Sequence, residues 1–407
     1  MKGINPETVT ASPPLSALHK RWLLTALSYA GFLVGMNLLL SITWSAPIHL
    51  RWMLAALAFC IYVLAVLWKA LPLNYRVEDG YFFPYFGAGN IISLLRAGFL
   101  AALAGFLIAP PPAGWLAWLP GIFYISNGVA DLFDGYLARR SRQVTKMGER
   151  LDMSLDGFGV LFAAILLYSY GTLPSWILLV GAARFLFLAV AKLREAFGKP
   201  VYPLSSSSLR RALAGAQMGY LGAALLPVFT PPATVWAGAF FSFPFLLHFG
   251  WDILISCGFQ YHGGNHAWLL QRFDPQLGTI RRLLFDWLPL GLRVFIGFLV
   301  ATQFLNWSIS PPAFLTVHTP LGSTQTQFQL LLLFYTLGAL STVLGMAGRG
   351  GAALLLIGVG LQQGILPLGW QGTVLLFAAC VLFFLGSGRA SLWKPEERLI
   401  WQRWGET

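Results

Sequence analysis

Charge is scarce in this sequence. Of its 407 residues only 10% are charged, while 57% are hydrophobic. A soluble domain carries about 25% charged residues, so this chain cannot cover a soluble surface, and a polytopic membrane protein is expected. Cysteine is scarce as well. Cys60, Cys257 and Cys380 all fall inside apolar runs and form no CxxC pair, which argues against a disulfide framework or a thiolate metal site. A secretory signal is not recognisable either: residues 1–18 are polar and contain proline, and the first apolar run is too long for the core of a signal peptide. That run reads as a first membrane helix. No internal repeat is visible, unlike the repeated halves of many transporters. The net charge of +12 would raise the question of nucleic acid in a soluble protein. Here most Lys and Arg lie in short loops between apolar runs, where they set orientation, and no nucleic-acid partner is expected.

Apolar runs fill the chain instead. A span needs about 20 such residues, and about 12 spans are expected along an all-α polytopic protein. They fall near 21–44, 53–71, 91–109, 115–135, 151–170, 175–193, 212–228, 233–256, 288–306, 326–346, 350–366 and 371–388. Two polar interruptions divide the chain. The aromatic stretch "NYRVEDGYFFPYFGAGN", 74–90, reads as an interfacial linker with Tyr and Phe at headgroup level. Residues 258–287 are polar again. The resulting segments are two leading helices and their linker (1–84), a six-helix core (85–257), a cytoplasmic linker (258–287) and a four-helix module with a basic, Trp-rich tail (288–407), the tail suited to a membrane surface. The loops at 139–150, 192–211, 258–286 and 347–349 are rich in Arg and Lys, whereas 108–114, 171–175, 229–234, 307–325 and 367–370 have none. The positive-inside rule then puts both termini in the cytoplasm.

Against this background "DLFDGYLARRSRQVTKMGERLDMSLDG", 131–157, stands apart. Asp131 and Asp134 are three residues apart, and Asp152 and Asp156 four apart, so on helices each pair shares a face. The two helices are consecutive and joined by a short loop, so the four carboxylates can meet just inside the membrane. Uncompensated, they would repel one another at high cost. An oxygen-only set suits hard cations such as Mg²⁺, Mn²⁺ or Ca²⁺, and two ions sharing it would suit phosphoryl transfer. Gly135, Ala138 and Gly148 allow close approach of a phosphate and its nucleotide. Arg139 offers a guanidinium to a phosphate oxygen. The alternative, ordinary loop-end charges placed by helix dipoles, accounts for one or two aspartates, Asp152 among them, but not for four at regular spacing beside two glycines and an arginine.

The pattern Asp131-x2-Asp134-Gly135-x2-Ala138-Arg139-x8-Gly148-x3-Asp152-x3-Asp156 resembles the signature of the CDP-alcohol phosphotransferases at all eight fixed positions. Upstream, "NIISLLR", Asn90 to Arg96, is similar to the Asn-x-x-Thr-x-x-Arg element of that family's first helix, with Ser93 in place of Thr. The resemblance covers about 85–257. It implies transfer of a phosphatidyl or phospho-alcohol group from a CDP-linked donor to an alcohol, with release of CMP. It implies two divalent ions, Mg²⁺ or Mn²⁺, on Asp131, Asp134 and Asp152, with Asp156 touching a metal and serving as base. Asn90, Ser93, Gly135, Ala138, Arg139 and Gly148 would line the CDP site. A homodimer, with the site open to cytoplasm and lipid in a bacterial cytoplasmic membrane, is also implied.

The donor expected is CDP-diacylglycerol, because "DGYLARR" and "GERLD" differ from the runs of choline and ethanolamine phosphotransferases. For the acceptor, Arg184 lies inside an apolar run, where charge usually faces a cavity, and Arg210 and Arg211 lie near the same level as Lys192, Arg194 and Lys199. These could bind an acceptor phosphate or simply set topology. The family's Gly-Lys-x-Lys-Thr element is replaced here by "SSSSLRRALAGAQM", which keeps Gln217 but not the Lys-Thr. At the other end, "LGMAGRGGAALLLIGVGLQ" and "LFFLGSGRASLW" are similar to DoxX-like four-helix membrane proteins, with Arg349 and Arg389 nearby. His262 and His266, separated by glycines, read as solvated loop histidines. A transporter and a non-catalytic scaffold are the competing readings.

Overall fold

The computed structural model describes residues 15–141, 143–204, 208–259, 287–310, 324–366 and 369–392. Among them the fold is all helical, with no strand; two isolated bridges, Tyr75–Phe82 and Arg76–Thr145, are the β-type pairings found there. The helices are α1 (Leu15–Ser41), α2 (Ala46–Ala70), α3 (Ala88–Gly105), α4 (Leu119–Arg140), α5 (Lys146–Leu155), α6 (Phe158–Ser169), α7 (Ile177–Ala196), α8 (Ser208–Ala224), α9 (Ala233–Ser256), α10 (Leu288–Ile309), α11 (Thr324–Leu344), α12 (Gly348–Ile365) and α13 (Trp370–Leu385). The linker histidines His262 and His266 and the tail from 393 lie outside the described residues.

Among the described residues, seven helical stretches are long and apolar enough to cross a membrane: Leu15–Ser41, Ala46–Leu73, Ala88–Ile108, Lys146–Ser169, Ala233–Ser256, Leu288–Ile309 and Thr324–Leu344. The expectation of about twelve spans therefore meets seven. The shortfall has local causes. Helix α4 carries Asn127, Asp131 and Asp134, and α7 carries Arg184, Lys192, Arg194 and Glu195. Helices α8 and α13 have 17 and 16 residues, short of the roughly 20 a span needs. Helix α12 opens with Arg349 and is interrupted by glycines. The expected span at 151–170 is among the seven, but it is built from two helices, because the chain breaks at Asp156 and turns through Gly157 at φ 90°, a value that favours glycine. Residues 85–257 consequently hold seven helices, α3–α9, rather than six.

The chain divides into two compact units. One contains the described residues up to Pro112 together with Trp118–Leu166; the other contains Ala113–Ala117 and the described residues from Leu167 onward. In the first unit α3 is central and packs against α1, α2, α4 and α5. Leu18, Leu67, Leu71, Phe86, Leu94, Met147 and Leu151 form a buried cluster where these helices begin or end. At the other end of α3, the Trp52 indole fills the space where a side chain on Gly105 would project. The stretch expected as an interfacial linker is a folded connector. Asn74 is fully buried and donates to the carbonyls of Phe83 and Tyr85 at 2.8 and 2.9 Å. Backbone bonds from Val77 to Val144 and from Lys146 to Tyr75 then tie the connector to the start of α5.

In the second unit α10–α13 pack in sequence, with α13 also against α10. Their ends are joined by Arg293 of α10, only 2% exposed. Its five N–H groups donate to the carbonyls of Thr342, Val343, Ser387, Arg389 and Ala390 at 2.7–3.2 Å. These carbonyls belong to the end of α11 and the segment after α13, where helices leave acceptors unpaired. The two glycine-rich stretches that resemble DoxX-like proteins meet here: the Gly348 amide donates to Ser387 Oγ at 3.1 Å, and Gly345 lies against Ser391.

Candidate active site

The site is assembled at the starts and ends of α3, α4 and α5. Thr145 caps α5 by accepting from the Gly148 amide at 3.1 Å, the usual service of a threonine at that position. Asn90, on the first turn of α3, donates to Thr145 Oγ1 at 3.1 Å and to Asn74 Oδ1 at 3.4 Å. One buried polar junction therefore fixes α3, the connector and α5 together. Gly148 is needed for it, since an added Cβ would lie 2.6 Å from Asn90 Oδ1. Gly89 brings α3 against α4: its Cβ would lie 2.8 Å from Ala138 Cβ and 3.0 Å from the Asp134 carbonyl. The small residues are thus used for helix-to-helix contact at these positions.

From this framework four aspartates converge on one arginine. Arg96 lies two turns into α3 and is 4% exposed. Its Nη1 is 2.7 Å from Asp131 Oδ1, 3.0 Å from Asp134 Oδ2 and 2.8 Å from Asp152 Oδ1, and its Nη2 is 3.3 Å from Asp156 Oδ1. Ser93 donates to Asp134 Oδ2 at 3.2 Å and to the Gly89 carbonyl, and the Gly135 amide also donates to Asp134. Asp134 is the most enclosed of the four at 13% exposed, while Asp131, Asp152 and Asp156 are 36%, 49% and 35% exposed. Oxygens of those three lie within 4.8 Å of one another. Asp156 reaches the group because it sits at the helix break: its amide still bonds the Asp152 carbonyl at 2.9 Å, while its ψ of 133° turns the chain away.

Like charges at such spacing favour a cation among them or a proton on one of them, and Arg96 supplies one positive charge. One guanidinium cannot neutralise four carboxylates, so positive charge is still favoured there. The donors are carboxylate oxygens, the ligands of hard divalent ions, and the arrangement fits Mg²⁺ or Mn²⁺. Arg96 was legible in the "NIISLLR" element, yet its role as the hub was not, because nothing in local spacing tells which carboxylates a long side chain will reach. Asn74 and Thr145 carried no sequence signal of their own.

The remaining predicted residues fall elsewhere or are less fully described. Arg139 is on α4, and its side chain is outside the described set, as is that of Arg211 on α8. Arg184 is half-buried on α7 of the second unit. Arg210 makes a two-pronged contact with Asp252 of α9, Nε to Oδ2 at 2.6 Å and Nη2 to Oδ1 at 2.9 Å. Arg194 donates to the Pro200 carbonyl and closes its own loop. Gln217 is buried and accepts from Ser242 at 3.3 Å.

Among the described residues, seven apolar helical stretches of membrane length and four aspartates gathered around an arginine on the preceding helix define an integral membrane protein with an acidic centre. Residues 87–244 match the CDP-alcohol phosphatidyltransferase family profile. One curated relative, the CDP-diacylglycerol–glycerol-3-phosphate 3-phosphatidyltransferase of Cereibacter sphaeroides, is 34% identical over 134 residues, which is 32% of this chain and 58% of the relative. A protein of the same name from Pectobacterium atrosepticum is 33% identical over 109 residues, 26% of this chain and 59% of the relative. The chain therefore spans somewhat under two thirds of the length of these relatives. No solved structure matches it.

Proposed function

We propose that the protein is a membrane-bound CDP-alcohol phosphatidyltransferase that uses CDP-diacylglycerol as donor and releases CMP. Glycerol 3-phosphate is the acceptor to test first, because both relatives are named for it. The observation that carries the proposal is the meeting of Asp131, Asp152 and Asp156 within 4.8 Å, joined through Arg96 to Asp134. A transporter reading is not favoured, since nothing in the family match or in the relatives' names supports it.

In this reading Asp131, Asp134, Asp152 and Asp156 would hold two divalent ions, whose charge would offset that of the donor diphosphate. Arg96 keeps the four carboxylates facing one another. Asp156, on the break between α5 and α6, takes the proton of the acceptor hydroxyl. The acceptor oxygen forms a bond to the phosphorus that carries diacylglycerol, the bond from that phosphorus to CMP breaks, and CMP leaves. Asn90, Ser93, Gly135, Ala138, Arg139 and Gly148 form the CDP side of the site. Arg184, Arg210 and Arg211 are candidates for the acceptor phosphate; the two-pronged contact of Arg210 with Asp252 weakens its candidacy relative to the other two. The active form is a homodimer in a bacterial cytoplasmic membrane with the site facing the cytoplasm. Residues 85–257 carry the chemistry, with 1–84 and 288–407 as added membrane segments joined by 258–287.

The test is CMP release by purified protein from CDP-diacylglycerol, with glycerol 3-phosphate, inositol phosphate, inositol, serine and a lipid alcohol supplied one at a time. Release with glycerol 3-phosphate alone supports the full proposal. Release with another acceptor keeps the class and replaces the substrate. No release with any of them, together with no binding of CDP-diacylglycerol, contradicts it.

A further inference from the structure

Helices α1 and α3 enclose a groove of about 390 Å³ in the first unit. Its walls are almost entirely apolar, with Leu24 and Phe32 from α1 and Ile91, Leu95 and Phe99 from α3. Tyr29 forms part of the floor, donating to the Leu94 carbonyl at 2.7 Å. Gly98 forms the rest: a Cβ there would stand 3.7 Å from the Tyr29 ring, an ordinary contact, so the space above it is left open by choice of residue and not by a backbone constraint. The other two hydroxyls that line the groove, Thr25 and Ser28, donate back to the Arg21 and Leu24 carbonyls of their own helix at 3.0 and 2.9 Å. They ask nothing of an occupant. The single charge in the lining is Arg21, at one end, with Lys20 beside it in sequence.

We infer that this groove binds one acyl chain of an anionic phospholipid, with the lipid phosphate at Arg21. Dimensions and charge both point to that occupant. From Arg21 to Phe32 the helix rises about 16 Å at roughly 1.5 Å per residue. That is half of a hydrocarbon core about 30 Å thick, the depth of one leaflet. A cation at the outer end of an apolar slot one leaflet deep meets a lipid phosphate, and basic residues at that level favour anionic headgroups. Leu24, Ile91 and Leu95 are 62%, 54% and 54% exposed, so a chain can enter sideways from the bilayer. The site sits on the side of α3 away from Asn90, Ser93 and Arg96, which are buried toward the aspartates. It also uses α1, which precedes the family-matched residues 87–244, so it is an addition to the family part of the chain. The inference depends on the membrane setting and not on the proposed reaction.

The experiment places the full-length protein in phosphatidylcholine nanodiscs containing a small fraction of phosphatidylglycerol with a photoactivatable group in its acyl chain. After irradiation, labelled peptides are mapped by mass spectrometry. The expected result is labelling concentrated in 24–32 and 91–99. Arg21→Gln, at an exposed position, is expected to reduce it by about five-fold, the effect of one basic residue at an anionic surface. Gly98→Leu, which fills the groove, is expected to abolish it with the melting temperature unchanged. Should Gly98→Leu unfold the protein, the Arg21→Gln comparison alone decides. Equal labelling by a phosphatidylcholine probe, labelling indifferent to Arg21→Gln, or an absence of labelling at these peptides would each overturn the inference.

Discussion

Arg96 Nη1 lies 2.8 Å from Asp152 Oδ1, although the two residues are on different helices and 56 positions apart. The same nitrogen touches Asp131 and Asp134. A cation 4% exposed at the hub of four carboxylates holds three helices in register. Arg96→Met should therefore destabilise the protein. Breaking a buried pair costs about 3–5 kcal/mol, and the partial exposure of the aspartates lowers that to about 2–3 kcal/mol. Thermal unfolding in detergent measures it. Mg²⁺ or Mn²⁺ is expected to restore part of the loss, because it satisfies the same oxygens. A variant that melts like the parent without added metal would contradict the role of Arg96 as the hub.

Gly89→Ala should part α3 from α4. The new Cβ would stand 2.8 Å from Ala138 Cβ and 3.0 Å from the Asp134 carbonyl, and a backbone atom cannot swing aside as a side chain can. Overpacking of this kind costs about 1–3 kcal/mol. The displaced turn carries Asp134, so CMP release should fall as well. Parent-like melting together with parent-like turnover would show that the two helices have slack.

Arg210→Ala should leave the Asp252 carboxylate, 4% exposed, without its two-pronged contact, at a cost of about 3–5 kcal/mol. Arg210→Gln combined with Asp252→Asn is expected to recover most of that. The double-mutant cycle built from Arg210→Gln, Asp252→Asn and their combination, read by thermal unfolding, should give a coupling of about 1 kcal/mol or more. A different outcome, unchanged stability with a raised KM for glycerol 3-phosphate, would assign Arg210 to the acceptor instead.

The four aspartates were readable because helical spacing puts each pair on one face, and the apolar background made them conspicuous. Their hub was not readable. Arg96 approaches from a separate helix, and only tertiary packing decides which carboxylates a guanidinium meets. The break at Asp156–Gly157 was hidden for a similar reason: an apolar run on both sides of a glycine looks like one span. Arg293 lies within an apolar run, where a lone charge is itself a signal, but the sequence does not show what it meets. Its five partners are all backbone carbonyls, which no side-chain pattern reveals. Asp252, also within an apolar run, became informative only once Arg210 was seen to reach it. Helices of 16 and 17 residues, α13 and α8, looked like spans because window reading does not mark where a helix stops.

Metal removal offers a check independent of mutation. Protein stripped with EDTA should release no CMP from CDP-diacylglycerol, and Mg²⁺ or Mn²⁺ should restore release. Undiminished turnover after stripping would exclude the two-ion reading of Asp131, Asp134, Asp152 and Asp156.

The most direct measurement compares the purified parent with Asp156→Asn under saturating Mn²⁺, CDP-diacylglycerol and glycerol 3-phosphate, scoring CMP per protein and melting temperature together. The account predicts turnover by the parent and a loss of about 10²–10⁴-fold in the variant, the usual contribution of a positioned base, with the fold retained. Equal CMP release by both proteins would contradict the assignment of Asp156 as the base. An absence of release by the parent with any acceptor would contradict the transferase itself.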